Sequence, residues 1–139
     1  MVRYLRTKRV PQDALLSLYA DAGWTAYTRD PEKLSYGVAH SWRVITAWEG
    51  EKLLGLVRAI SDGRTIAYIQ DILVLKAYQG QGIGAELIRR MLAAIGPMRQ
   101  IALMTDASPE NKAICDWYLA QGFQSYEAAG AAGFAIFNP

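Results

Sequence analysis

Apolar positions along this chain follow two periods. Residues 2–5, 43–48, 53–60 and 65–74 read as strands, with 43–48 rich in β-branched and aromatic side chains. Turn residues interrupt them at Glu49-Gly50-Glu51 and Ser61-Asp62-Gly63, so the last three runs read as a strand meander. The run at 65–74 is nearly all apolar, as expected of a strand inside a sheet. Leu15, Leu16 and Tyr19 instead recur at helical spacing after Pro11, and Gly23 stops that run. Asp30-Pro31-Glu32 predicts a second helix to about residue 39, with Asp30 as N-cap and Pro31 at its first position. Residues 24–28 between these helices read as a loop carrying Trp24 and Tyr27. An amphipathic run over 85–95 predicts a long helix ended by Gly96-Pro97. A strand at 101–105, a helix opened by Ser108-Pro109 and closed by Gly122, and a weak strand over 126–137 broken by Gly130 and Gly133 complete the order. The pattern is β-α-α-β-β-β-α-β-α-β, a mixed α+β sheet in a single domain over 1–139.

Composition narrows the function. Hydrophobic residues make up 52% and charged residues 20% of the 139 positions, a globular profile. The formal charge of +2 is too small for a nucleic-acid binder, and Arg3, Arg6, Lys8 and Arg9 read as a solvated strand face. One cysteine, Cys115, leaves no internal disulfide or multi-cysteine metal site, and its neighbours place it on a helix as a small buried residue. The lone His40 has no nucleophile motif beside it. No apolar run reaches the ~20 residues of a membrane span and no signal-peptide pattern opens the chain, so the expected address is the cytoplasm and no membrane partner is expected.

The strongest chemical signal is Gln79-Gly80-Gln81-Gly82-Ile83-Gly84, between the apolar strand and the amphipathic helix. A glycine-rich turn there leaves backbone N–H groups unpaired at the positive end of a helix dipole, a seat for a phosphate or pyrophosphate. Gly82 and Gly84 lack a Cβ and let the backbone come close to an anion. A Walker loop fails, because no lysine follows Gly84. A dinucleotide fingerprint fails too, because the glycine spacing is wrong and a strand meander precedes it. The pyrophosphate loop of coenzyme A in acetyltransferases remains.

At this point the chain resembles the GNAT superfamily of N-acetyltransferases. The pattern Gln79-x-x-Gly82-x-Gly84 after a hydrophobic strand matches the family's [Arg/Gln]-x-x-Gly-x-[Gly/Ala] signature. Asn111, Tyr118 and Gly122-Phe123 match its second block, about thirty residues on. The resemblance runs in order over 44–123 and more loosely over the two N-terminal helices. It implies a single-domain acyltransferase fold with a central, mostly antiparallel, splayed sheet flanked by helices. It implies acetyl-CoA as cofactor, held at Gln79, Gly80, Gln81, Gly82, Ile83, Gly84 and Ala85. It further implies main-chain contacts to the pantetheine arm from Ile72, Leu73 and Val74, and a hydrogen bond to that arm from Asn111. Exposed C-terminal strands in the family often pair, which makes a homodimer an expectation.

Acetyl transfer to an amine requires loss of an amine proton, polarisation of the thioester oxygen and protonation of the leaving sulfur. By resemblance Tyr118 is the general acid, since a phenol keeps its proton at neutral pH, and the polarising donor is a backbone N–H near Leu73. Asp71, a carboxylate inside an apolar strand, is either the base or a hydrogen-bonded structural residue. Asp106, at the end of the next strand, is the second candidate base. Acceptor contacts are expected from Trp24, Tyr27 and Arg58, and an aromatic pocket near Asp71 suits a cationic or an aromatic amine. The expected reaction is acetylation of a small-molecule primary amine. Acetylation of a protein N-terminus or lysine, or a non-catalytic coenzyme A-binding module, are the alternatives.

Overall fold

The computed structural model describes residues 1–139, which form two compact units, Met1–Leu103 and Met104–Pro139. The first unit contains a five-stranded sheet in the order β1 (Arg3–Arg6), β2 (Arg43–Glu49), β3 (Lys52–Ser61), β4 (Ile66–Val74), β5 (Gln100–Leu103). The first four strands run antiparallel to their neighbours, and β5 pairs parallel with β4. A parallel neighbour needs a crossover, and α4 (Ile83–Ile95) supplies it.

Each face of the sheet is covered. Helices α1 (Gln12–Asp21) and α3 (Pro31–Ala39) bury Leu15, Leu18, Tyr19, Leu34 and Val38 against Val44, Leu53, Leu56 and Leu73. Asp30 caps α3 as the sequence predicts: its carboxylate accepts from the Lys33 N–H at 3.2 Å, and Pro31 takes the first helical position. Residues 24–28, read as loop, hold one short helix, α2 (Thr25–Thr28). It is closed by backbone bonds from Thr28 to Trp24 and from Arg29 to Thr25. On the opposite face α4 buries Ile83, Leu87, Ile88, Met91 and Ile95, each side chain worth about 1.5–3 kcal/mol by removal from water.

One glycine sets how close α4 lies to the sheet. A Cβ at Gly55 would stand 3.0 Å from the Leu73 carbonyl oxygen and 3.1 Å from Leu87 Cδ1. The helix therefore rests on bare backbone at β3.

The second unit holds α5 (Lys112–Ala120), preceded by a 3-10 turn at Pro109–Asn111. The strand expected over 126–137 is absent. A turn occupies 126–130, and residues 131–139 have no regular structure. The reason is composition: residues 128–133 are alanine and glycine alone, with Gly130 at φ +76°, and both residue types disfavour strands. Phe134, Ile136 and Phe137 are left exposed. No helix is long and apolar enough to cross a membrane.

Substituting Gly55→Ala forces α4 off the sheet and should cost about 1–3 kcal/mol. A urea melt of the variant checks this; unchanged stability would show that the close contact is readily relaxed.

Candidate active site

The turn into α4 is built to present donors. Gly82 caps the helix with φ +84°, a left-handed conformation that glycine adopts without strain, and Gly80 stands at φ +81°. The first helical bond runs from the Glu86 N–H to the Gly82 carbonyl at 3.0 Å. The N–H groups of residues 80–85 donate to no acceptor in the protein. Open space surrounds Gly80 and Gly82 where a Cβ would project. Six adjacent donors, a 13-residue helix behind them and room in front fit a diphosphate. Two side contacts hold the approach to this turn. The Lys76 N–H donates to Asp21 at the end of α1 at 2.8 Å, and Gln79 donates its side-chain amide to the Val74 carbonyl at 3.0 Å. Gln79 is thus a strut for the turn. Arg89 and Arg90 are both clamped to Glu86, whose carboxyl their hydrogen bonds hold down to about 2.

The strand leading to this turn has a free half-edge. β4 pairs with β5 only from Ile66 to Ile69, so residues 70–74 extend beyond that ladder. Leu75 donates to Leu54 of β3, and the Leu73 carbonyl lies against Gly55 of β3. By the alternation of backbone groups, Ile72 and Val74 turn theirs to the outer edge. Leu73, expected among the main-chain contacts, faces its groups inward; one residue of register decides this.

Asp71 stands at the centre of a buried polar network. A bulge between β3 and β4 sets Arg58 opposite Asp71 and the next residue, Ala59, opposite Ile69, leaving Gln70 as the extra residue. The Arg58 Nε donates to Asp71 Oδ2 at 2.6 Å, and Tyr19 donates its hydroxyl to the same oxygen at 2.9 Å. Tyr27 donates to Oδ1 at 3.1 Å and accepts from the Gln70 amide at 3.1 Å. Asp71 is 4% exposed. It is therefore not an unpaired carboxylate facing the acceptor: three donors and a guanidinium charge occupy it. Burial, then the Asp71 charge, pushes the Tyr19 hydroxyl far above its ordinary range, so Tyr19 is a fixed donor.

Arg58, expected among the acceptor contacts, is instead buried and committed to groups of the protein itself, because it sits on a central strand facing α3. The guanidinium is 7% exposed and also donates to the Gly37 carbonyl and the Ser41 hydroxyl, each at 3.2 Å. Burial lowers its affinity for the proton, but Asp71 outweighs that and the net direction is upward. Trp24 and Tyr27 do come together. Their ring centroids lie 6.1 Å apart, and Tyr19 meets them edge-on at 5.7 and 5.1 Å. Both are half-buried, and they wall the same cluster as Asp71. Sequence reasoning missed Gln70. Its signal was weak, a polar residue beside Asp71 in an apolar strand, and the bulge that redirects it leaves no mark in composition.

In the second unit Asp106 accepts from the Ser108 N–H at 2.9 Å and from its hydroxyl at 2.8 Å. These bonds, the backbone one first, lower the Asp106 carboxyl below the usual range. Asn111 precedes α5 but does not cap it. Its amide donates to the Asp106 carbonyl at 2.6 Å and to Thr105 at 3.1 Å. Tyr118 is half-buried on α5, with Trp117 and Phe123 edge-on at 5.1 and 6.0 Å. Cys115, expected to be buried, is partly exposed.

Comparison with known proteins gives a consistent result. Residues 40–125 match the family model described as an acetyltransferase (GNAT) domain. The chain is 35% identical over 100 residues to Histone acetyltransferase TAP1 of Glycine max, covering 67% of this chain and 41% of that protein. It is 35% identical over 77 residues to GCN5-related N-acetyltransferase 2, chloroplastic, of Arabidopsis thaliana, covering 54% of this chain and 28% of that protein. The chain thus spans less than half the length of these curated relatives. Among solved structures, a GNAT family acetyltransferase of Streptococcus pneumoniae TIGR4 aligns with a TM-score of 0.85 at 29% identity, covering 99% of this chain and 98% of that one. An aminoglycoside N-acetyltransferase in complex with CoA aligns at 0.66 and 17% identity, covering 100% and 95%, a likeness of fold alone.

The Arg58–Asp71 pair yields a stability prediction. Arg58→Met leaves a buried carboxylate without its charge partner and should cost about 3–5 kcal/mol. Adding Asp71→Leu removes the stranded charge and should recover part of that loss. Urea melts of both single variants and the double variant check it; strictly additive losses would show that the pair is not coupled.

Proposed function

The chain belongs to the GNAT acetyltransferase family, and on that premise we propose that it moves an acetyl group from acetyl-CoA to a primary amine of a small molecule. The observation that carries the reading is the row of six N–H donors at residues 80–85, without protein acceptors, at the start of a 13-residue helix. Those donors suit the diphosphate of coenzyme A, with Gly80 and Gly82 leaving room for it. The outward groups of Ile72 and the Val74 N–H suit the pantetheine arm, which adds to the edge as a strand would, while the Val74 carbonyl is already held by Gln79. We assign Asn111 to the same arm on family resemblance; its amide also braces the Thr105 hydroxyl and the Asp106 carbonyl.

Acetyl-CoA supplies the activated acetyl group. An N–H on the outer edge of β4 polarises its carbonyl oxygen. Tyr118 gives its phenolic proton to the departing sulfur. Neither carboxylate has the environment of a base. Asp71 is tied to Arg58 and two tyrosines, and Asp106 is held below the usual carboxylate range by Ser108. The acceptor therefore enters with its amine already neutral, and the proton its nitrogen sheds after attack passes to solvent, which also returns a proton to the Tyr118 phenolate. Asp71 is a positioning residue: it fixes the Tyr27 hydroxyl, and through Tyr27 the Gln70 amide, at the wall that receives the acceptor.

A second reading, acetylation of a lysine or N-terminus on a protein, is favoured by the 35% identity to a protein named as a histone acetyltransferase. A panel of small amines beside a histone-tail peptide separates the two.

The proposal predicts that acetyl-CoA shifts the backbone amide resonances of residues 80–85, and that an amine panel releases free thiol. Tyr118→Phe should lower kcat by about 10²–10⁴-fold while leaving those shifts in place. Shifts without turnover on any amine or peptide would reduce the chain to a coenzyme A-binding module. Absent shifts would end the reading.

Without an enzymic base, kcat/KM rises with pH through the ammonium pKa of the acceptor. Two acceptors titrating at about 8 and about 10.4 should show limbs displaced by that difference. A limb at one fixed pH for both would assign a base to the enzyme.

A further inference from the structure

On the face of the sheet that carries α4, a cavity of about 360 Å³ opens between the edge strand β1 and the helix. Its lining includes Arg6 from β1, Ile45 from β2, and Arg89, Arg90, Ala93 and Ala94 from α4. Three guanidinium groups thus surround an aliphatic floor. Alanine at 93 and 94 keeps the floor open, where longer side chains would fill it.

The charges in this groove are unbalanced. Arg89 and Arg90 share one carboxylate, Glu86, and Arg90 also stacks over the Tyr4 ring at 4.5 Å. Glu86 meets the Arg89 Nε and Nη2 and the Arg90 Nε, which leaves the remaining guanidinium N–H groups of both uncommitted. Arg6 has no acid partner. It sits opposite Ile45 in the ladder, on the same face as Arg43, two residues earlier on β2. The Arg43 Nε is buried with no hydrogen-bond acceptor. Burial, and then the charge of Arg6, weakens Arg43's hold on its proton, so the two guanidinium groups lie close enough to repel. Arg3, Lys8 and Arg9 add further charge nearby in sequence, and the first acidic residue of the chain is Asp13.

We propose that this groove is an anion-binding site for a small organic acid carrying two or more phosphate or carboxylate groups, held by Arg6, Arg89 and Arg90. Guanidinium forks match both acids in bidentate geometry, and several in one concavity select for a multivalent ligand over a single charge. The apolar floor gives the ligand's carbon or ester body a place to rest. The site is separate from the residue 80–85 donors, about two helical turns along α4 from Gly82.

The test uses the whole chain and two probes, tripolyphosphate and citrate, to distinguish phosphate from carboxylate chemistry. Either probe should bind saturably with a Kd below about 1 mM. It should shift the Nε–H resonances of Arg6, Arg89 and Arg90 and the amides of Ala93 and Ala94. Arg6→Glu should weaken binding by about tenfold or more, the scale of one charge-assisted contact. Arg64→Glu, on the exposed turn between β3 and β4, should not. Arg6 is exposed, so the variant folds, and its melt confirms that. Saturable binding at these residues, lost in Arg6→Glu, upholds the site and names its chemistry. No saturation with either probe, shifts confined to residues 80–85, or equal losses in both variants would overturn it. None of these outcomes depends on acetyl transfer.

Discussion

The contact on which the placement of the N-terminal helices depends is the buried pair of Arg58 and Asp71. It joins five elements at one point. Arg58 ties β3 to the end of α3 through Gly37 and Ser41, while Asp71 ties β4 to α1 through Tyr19 and to α2 through Tyr27. A buried charge is stable only when every partner is present, so the pair fixes where the N-terminal helices lie on the sheet. The space left around Gly37 shows the same constraint. A Cβ there would already stand 3.5 Å from the Arg58 Nη1, and a bulkier side chain would push the guanidinium off its acceptors.

The second organising feature is an early end to pairing. β5 stops at Leu103 while β4 runs on to Val74, so the last part of β4 offers its outer edge beyond their ladder. Unpaired strand edges invite another strand, and proteins usually cover them. Here the edge leads straight into the Gly80–Gly82 turn. Gly55 is what lets the two features work together. It lets α4 settle onto β3, and the helix N-terminus is thereby set beside the end of β4.

Much of this was legible in the residues. Asp30-Pro31 specified the start of α3, hairpin turns bounded β3, and the glycine spacing after β4 pointed to an anion seat by itself. These signals are local, set by backbone chemistry within a few positions. The features that stayed hidden depend on partners far apart in sequence. Asp71 read equally as base or structural group because its partners Arg58, Tyr27 and Tyr19 lie 13, 44 and 52 residues away. The bulge that exposes Gln70 is a mismatch between two strands, so neither strand alone records it. The terminal strand failed for a local reason: its aromatic end suggested pairing, while the alanine-glycine run before it supplies none.

If the Trp24–Tyr27–Asp71 cluster receives the acceptor as proposed, its electrostatic neutrality bears on selectivity. Asp71 carries the negative charge that an ammonium would seek, yet Arg58 already balances it at 2.6 Å. An incoming cation gains little from a charge so closely compensated, and would have to enter as the free amine to react. The wall still offers the faces of Trp24 and Tyr27 and the exposed Gln70 amide. Those groups discriminate by shape and hydrogen-bond direction more than by charge, because a missing hydrogen bond costs a rival substrate more than a missing methylene. On the proposed function, such a wall would select a neutral or aromatic amine over a polycation. The strongly basic region of the unit lies on the opposite face of the sheet, beside α4, so its charge stands apart from this wall.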